Sequence, residues 1–304
     1  MRVALVGVNK YKIGNDLRGC VNDVLITRQL ALDNYKVPNG QIRMLTDERA
    51  QANEILDRLE WLVAESFVHT KLLFHFSGHG TYVPNVDYSV DDPEFDGMDE
   101  MICSHDFAWE KEYSWIIDDH IYEIIARKNP KAKLVMIFDC CHSGTVFRNI
   151  KPMDVYKSDS KIANALVTGM AEIPRKIRSI PTPVDLLSRV PEYRNVLLTT
   201  SEDELHAARP TKVVMPKVRT RSLLNIPNVV VISGCADHQT SADAYLGHDW
   251  HGALSYYLQM ILCSTPDIAL PDLEHKVKEA LRKGRFSQNP QFSYGPDTDL
   301  SKLL

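Results

Sequence analysis

Two glycine-bounded turns carry the side chains best suited to covalent chemistry. Ser77-Gly78-His79-Gly80 closes the apolar run 71–76, and Asp139-Cys140-Cys141-His142-Ser143-Gly144 closes the apolar run 133–138. An imidazole and a thiol brought together at adjacent strand ends make a nucleophile–base pair. The imidazole takes the thiol proton and the thiolate attacks. Gly78 and Gly80 let the chain turn tightly beside His79, and let a substrate carbonyl approach backbone N–H groups that can hold an oxyanion. Gly144 has a similar steric part after Cys141. Three nearby groups compete for these roles: Cys140, His142 and His75. Adjacent side chains at a strand end face opposite ways, so only one of the two thiols can meet His79. His75 lies inside its run, where a hydrogen-bonded structural histidine is expected.

Both turns need a scaffold. The runs 3–8, 42–45, 71–76, 133–138 and 229–233 read as short buried strands. The segments 22–32, 53–67, 118–127, 253–263 and 273–282 read as helices. Their alternation predicts a largely parallel sheet with helices on both faces. In such sheets sites lie just beyond the carboxyl ends of strands. His79 and Cys141 are far enough apart in sequence for a helical crossover, so their strands can be neighbours. Residues 85–100 form a polar, acidic stretch that reads as a loop before the short run 101–103. Between 151 and 227 the pattern weakens into Pro, Ser, Lys and Arg, with one strand-like run at 195–200. The tail reads as polar. The expectation is one α/β domain over 1–304, with an insertion or processing linker at about 151–227.

Composition excludes several classes. The 304 residues are 44% apolar and 25% charged, with a net charge of −5, which is ordinary for a globular chain. Nothing supports a nucleic-acid grip, which usually shows as a basic domain. No apolar run reaches the length of a membrane helix, and the N-terminus lacks signal-peptide anatomy. Six cysteines without a C-x-x-C pair suggest a reducing, cytoplasmic setting rather than a disulfide framework. No phosphate-binding loop, dinucleotide fingerprint or G-x-S-x-G elbow occurs.

The two turns and their strands resemble the histidine and cysteine segments of the caspase-like clan, and the Asp-Cys-Cys-His-Ser-Gly run resembles metacaspases in particular. Leu17-Arg18-Gly19-Cys20-Val21-Asn22-Asp23 is similar to the family's first acidic motif. The run from Ile232 to Ala244, Ile-Ser-Gly-Cys-Ala-Asp-His-Gln-Thr-Ser-Ala-Asp-Ala, is similar to its late motif. Four motifs in order cover about residues 1–145 and 228–300. The Q-A-C-x-G signature of true caspases is absent. The resemblance implies a caspase-like (caspase-hemoglobinase) three-layer sandwich with a mostly parallel central sheet. It implies Cys141 as nucleophile, His79 as general base, and the amides of Gly80 and Cys141 as oxyanion donors. It also implies an acidic pocket from Asp23, Asp139 and Asp237, with Ser77 beside them. Converging carboxylates favour Lys or Arg, bidentately in the Arg case, and repel Asp. The expected activity is a cysteine endopeptidase cutting protein or peptide substrates after Arg or Lys. A catalytically silent regulatory scaffold is the alternative.

Calcium is a further implied expectation, at Asp118 and Asp119 with Asp99 as a third ligand, since hard cations want oxygen donors. Arg148 stands where the family often supplies another Asp, and the acidic loop Asp87, Asp91, Asp92, Glu94 and Asp96 lacks an EF-hand pattern. Structural roles are open to the same residues: Asp23 could pair with Arg18 and Asp237 form a turn instead of lining the pocket, and Asp118-Asp119 could cap a helix instead of binding metal. Arg175, Lys176, Arg178, Lys212, Lys217, Arg219 and Arg221 lie in the insertion, where an enzyme cutting after basic residues could process itself. With the first strand starting near residue 2, no prodomain is expected. Control then falls to calcium, cleavage or an activating protein. The resemblance suggests a monomer and a place in cell death or stress defence.

Overall fold

Arg2–Gly7 forms the first strand, β1, because Val3 to Val6 are apolar without break and can be covered on both faces. The structure is a computed structural model that describes residues 1–64, 66, 71–84, 98–141, 174–183, 186, 222–236 and 239–304. The further elements are α1 (Cys20–Asp33), β2 (Ile42–Thr46), α2 (Ala52–Val63), β3 (Lys71–Ser77), β4 (Gly80–Pro84), β5 (Met98–Cys103) and β6 (Trp115–Ile117). They continue with α3 (Asp118–Ile125), β7 (Lys133–Asp139), β8 (Arg175–Ile177), β9 (Val229–Ser233), β10 (Ala242–Leu246) and β11 (Asp249–Gly252). The last are α4 (Ala253–Ser264), α5 (Leu270–Lys283) and β12 (Gln291–Tyr294).

A six-stranded sheet runs β12-β9-β7-β3-β1-β2, parallel except for β12, which pairs antiparallel with β9. Alternate residues of each strand serve opposite faces. Val6, Phe74, Phe76, Met136 and Phe138 pack with Ile55, Leu59, Ile121 and Ile124 of α2 and α3. Leu5, Leu73, Val135, Ile137 and Ile232 pack with Val24, Leu258, Val277 and Leu281 of α1, α4 and α5. This is the expected α/β three-layer sandwich. Three parts of it differ from the sequence reading. The tail read as polar supplies β12, and the stretch after β9 forms the hairpin β10–β11 with β8 on its other edge. A small antiparallel sheet, β4-β5-β6, follows His79. The strand expected at 195–200 lies outside the described residues.

β3 and β7 are direct neighbours, in a register that sets Ser77 opposite Asp139. The turns after them therefore emerge side by side at the carboxyl end of the sheet, as expected for parallel α/β architecture.

Asp118 and Asp119 open α3, but the capping position is Ile117. Asp118 Oδ1 is buried without a hydrogen-bond partner. Burial, then repulsion from Glu100, Asp99 and Asp119, pushes the Asp118 pKa up to about 7, despite a helix N-terminus that favours negative charge. A carboxyl raised in this way stabilises the fold below its unfolded pKa, and that stability is lost as pH climbs to the folded pKa. Asp118→Asn is therefore expected to raise Tm at pH 8 by on the order of 5 °C. The gain should roughly halve at pH 5.5. An equal gain at both pH values in thermal melts would contradict the assignment.

Candidate active site

His79 stands in the turn after β3, buried beside Tyr11, whose ring lies 4.8 Å away and whose hydroxyl oxygen accepts the His79 amide at 2.7 Å. Its Nε2 sits 2.7 Å from the carbonyl of Asn15. A carbonyl only accepts, so Nε2 carries the hydrogen and Nδ1 keeps the lone pair. Nδ1 is buried and makes no hydrogen bond. Burial, with help from the Arg178 charge, lowers the His79 pKa to about 4. At neutral pH the ring is uncharged, oriented through Nε2, and able to take a proton at Nδ1.

Cys141 follows β7 and is fully buried. Its sulfur accepts the Ser241 amide at 2.7 Å. The Cys235 thiol donates to the Gln239 carbonyl at 3.3 Å, and the neighbouring Cys141 together with burial pushes its pKa well up. Among the described residues Cys141 Sγ and His79 are not hydrogen-bonded to each other. Such bonds are often loose before substrate binds. His75 is structural, its two ring nitrogens bonded to the hydroxyls of Thr27 and Ser255 at 2.8 and 3.1 Å.

Beside the two turns lies a closed acidic pocket, and Arg178 fills it. Arg178 Nη2 donates to Asp23 Oδ2 and Asp243 Oδ1, each at 2.9 Å. Nη1 donates to Ser77 Oγ at 2.6 Å and to the Asp139 carbonyl at 3.0 Å. The Asp139 carboxylate lies 3.6 Å from Nη1 and is itself held by the Ser241 hydroxyl and the Ser255 amide. Ser77 passes its own O–H to Asp23 at 2.7 Å. Arg178, Asp23, Asp139 and Asp243 are each fully buried. Burial alone would raise the Asp23 pKa, but the Arg178 charge and the His251 and Ser77 hydrogen bonds outweigh it and hold it low. Gly252 closes the wall: a Cβ there would collide with the Asp139 carboxylate and the Arg178 guanidinium.

The backbone of Arg178 is gripped as firmly as its side chain. Its carbonyl accepts from the amides of Gly80 at 3.1 Å and Cys141 at 3.2 Å, and its own amide donates to the Ser241 carbonyl at 3.1 Å. Upstream, β8 pairs antiparallel with β10. Downstream, Ser179 bridges Gly80, the Ile180 amide donates to the Gly80 carbonyl at 3.1 Å, and Thr81 Oγ1 donates to the Ile180 carbonyl at 2.6 Å. The segment 174–183 thus crosses the site as an added strand, with one carbonyl aimed between two N–H donors.

Of the residues named from sequence, Asp23, Ser77, Asp139, Gly80, His79 and Cys141 come together here. Asp237 lies outside the described residues, and Asp243 supplies a pocket carboxylate. Asp243 stands in the same Ser241-Ala242-Asp243-Ala244 run, inside β10, so a buried Asp in a strand was the available signal. Asn15, which orients His79, carried no signal beyond Gly14 before it; both adopt positive φ, 63° and 83°. Asp99, Asp118 and Asp119 belong to β5 and α3 and interact electrostatically. Among the described residues no three His, Cys, Asp or Glu side chains are grouped to hold a metal. Arg148 and the acidic loop lie outside the described residues.

Comparison with known proteins bears on the family and the fold. Residues 2–149 match the family described as metacaspase, peptidase C14 domain. Metacaspase-1B of Neosartorya fischeri is 30% identical over 305 residues, covering 96% of this chain and 68% of the relative. Metacaspase-1 of Schizosaccharomyces pombe is 27% identical over 314 residues, covering 100% of this chain and 69% of the relative. Among solved structures, protein GSU0716 of Geobacter sulfurreducens superposes with a TM-score of 0.63 at 18% identity, covering 99% of this chain and 96% of that one. Caspase-1 of Spodoptera frugiperda gives 0.50 at 9% identity, covering 98% and 87%. These two likenesses bear on the fold, which is caspase-like. The chain belongs to the metacaspase family of cysteine peptidases.

Proposed function

We propose that this peptidase cleaves after Arg or Lys through Cys141 and His79, and that its first substrate is its own Arg178–Ser179 bond. The observation behind this reading is the seating of Arg178. A guanidinium among three carboxylates, with the same residue's carbonyl between the Gly80 and Cys141 amides, is the arrangement an Arg substrate needs. Lys would meet the same carboxylates as a point charge without the planar fork. Asp would bring a fourth negative charge into a buried site.

The chemistry follows from the atoms present. The Cys141 thiol gives its proton to His79 Nδ1, and the sulfur attacks the carbonyl carbon. The oxygen gains negative charge between the two amides. The C–N bond breaks as His79 returns the proton to the leaving amine, Ser179 nitrogen in the self-reaction. A thioester remains. Water, deprotonated at Nδ1, then releases the carboxylate and the free thiol. In the intact chain segment 174–183 occupies the cleft, so other substrates gain access only when it leaves. Activation by self-cleavage follows.

We further propose calcium as a regulator at the Asp99, Asp118 and Asp119 cluster. Support comes from the partnerless buried oxygen of Asp118 and its crowding by neighbouring carboxylates. The described residues alone do not complete a ligand set, and no catalytic step passes through the metal. Titration calorimetry tests this: a calcium heat at pH 8 that is lost in Asp118→Asn is expected, and equal heats in both proteins would sink it.

Incubated wild-type enzyme should yield two bands, the second beginning at Ser179 by N-terminal sequencing. Cys141→Ala should stay intact, and Arg178→Asp should lose that cut. Cleavage that persists at Ser179 in Cys141→Ala would refute the assignment. Asp243→Asn removes one charge-assisted partner and should lower kcat/KM on Arg peptides by about 10- to 100-fold. An unchanged value, or cleavage after Asp, would refute the pocket.

A further inference from the structure

Segment 174–178 displays how residues ahead of the cleaved bond are read. β8 joins the edge of β10 with Arg175 opposite Ala244, Lys176 opposite Asp243 and Ile177 opposite Ala242. The Tyr245 amide closes the ladder on the Pro174 carbonyl at 3.1 Å. Backbone pairing of this kind is indifferent to sequence; selectivity comes from what each side chain meets.

Arg175, the fourth residue before the cleaved bond, meets a built feature. Its guanidinium carbon lies 4.1 Å from the centroid of the Phe286 ring. Its Nη1 donates to the Arg285 carbonyl at 3.0 Å. Phe286 is itself buried and fixed, with Tyr257 edge-on at 6.1 Å. The chain end of α5 holds both groups in place. Arg285 takes a positive φ of 60°, where glycine is usual, and the Phe286 amide returns to the Leu281 carbonyl at 3.0 Å. That reversal sets the Phe286 ring and the Arg285 carbonyl on one cation.

Lys176, the third residue, makes a weaker contact. Its Nζ donates to the Asp16 carbonyl at 2.8 Å, but the side chain is exposed. Water screens such contacts, so they contribute little. Ile177 is half-buried and carries no polar group to read. Among these positions the stacked, hydrogen-bonded Arg175 is the one able to discriminate.

We propose that Phe286 and the Arg285 carbonyl form a second cation subsite, and that the preferred substrates carry Arg four residues before the cleaved bond as well as at the bond itself. This rests on the Arg-directed reading above. Arg is favoured over Lys because a planar guanidinium stacks on an aromatic face while donating from its edge.

The test uses the self-processed wild-type enzyme and fluorogenic tetrapeptides that all end in Arg. The parent is Arg-Lys-Ile-Arg. Replacing its first Arg by norleucine should lower kcat/KM about tenfold, the combined worth of one exposed cation–π contact and one hydrogen bond. Replacing Lys by Ala should cost less than about threefold. In Phe286→Leu, which keeps apolar bulk but removes the ring, most of the difference between the two peptides should vanish. If both peptides are cleaved alike by the wild type, the subsite is refuted and cleavage after Arg stands. If no peptide ending in Arg is cleaved, the Arg-directed reading falls and this subsite with it. The wild-type comparison decides even if Phe286→Leu fails to fold.

Discussion

A guanidinium sealed from water is tolerated only if its charge is met and its donors are used. Arg178 meets this at its two terminal nitrogens with Asp23, Asp243, Asp139 and Ser77, drawn from α1, β10, β7 and β3, while its Nε makes no hydrogen bond. The dependence runs both ways. Without a cation, three buried carboxylates would face one another with no opposite charge among them. In this structure the pocket is occupied by a cation of matching length, the Arg178 guanidinium. Removing one partner of such a cluster leaves the others uncompensated, at a cost of about 3–5 kcal/mol. The same ion cluster thus ties the hairpin and the 174–183 segment to the central sheet.

Everything else about the site follows from the β3–β7 register. Setting Ser77 against Asp139 places one polar side chain and one carboxylate at the pocket floor, and the next residues supply the chemistry. His79 is oriented from one side by Asn15, Cys141 by Ser241, and the two amides that hold the Arg178 carbonyl come from the same pair of turns. His79, Cys141 and the two amides thus all lie at the ends of two adjacent strands. The cleft is already filled by a strand of the same chain, the segment 174–183.

Much of this was legible in the sequence because it is local. The apolar runs behind His79 and Cys141 read directly as β3 and β7, and β9 was read with the bounds it has, Val229–Ser233. Buried polar pairing was harder to see. β10 reads Ala-Asp-Ala-Tyr-Leu, and a strand carrying an inward Asp resembles a loop unless its cationic partner is known. That is why Asp243 was passed over for Asp237. β12 is a four-residue edge strand, too short for its alternation to stand out. Arg178 is one of thirteen Lys and Arg residues in the weakly patterned region 151–227. Nothing local marks it, since its meaning comes from carboxylates far away in the chain.

The central claim is that the pocket holding Arg178 selects the residue at which Cys141 acts. The most direct measurement is the rate at which Cys141 is alkylated by two peptidyl chloromethyl ketones identical except for a terminal Arg or Asp, with the modified residue located by mass spectrometry. The account predicts labelling at Cys141 at least about a hundredfold faster with Arg, as expected for losing two charge-assisted contacts. Equal rates, faster labelling by the Asp reagent, or attachment to another cysteine would contradict it.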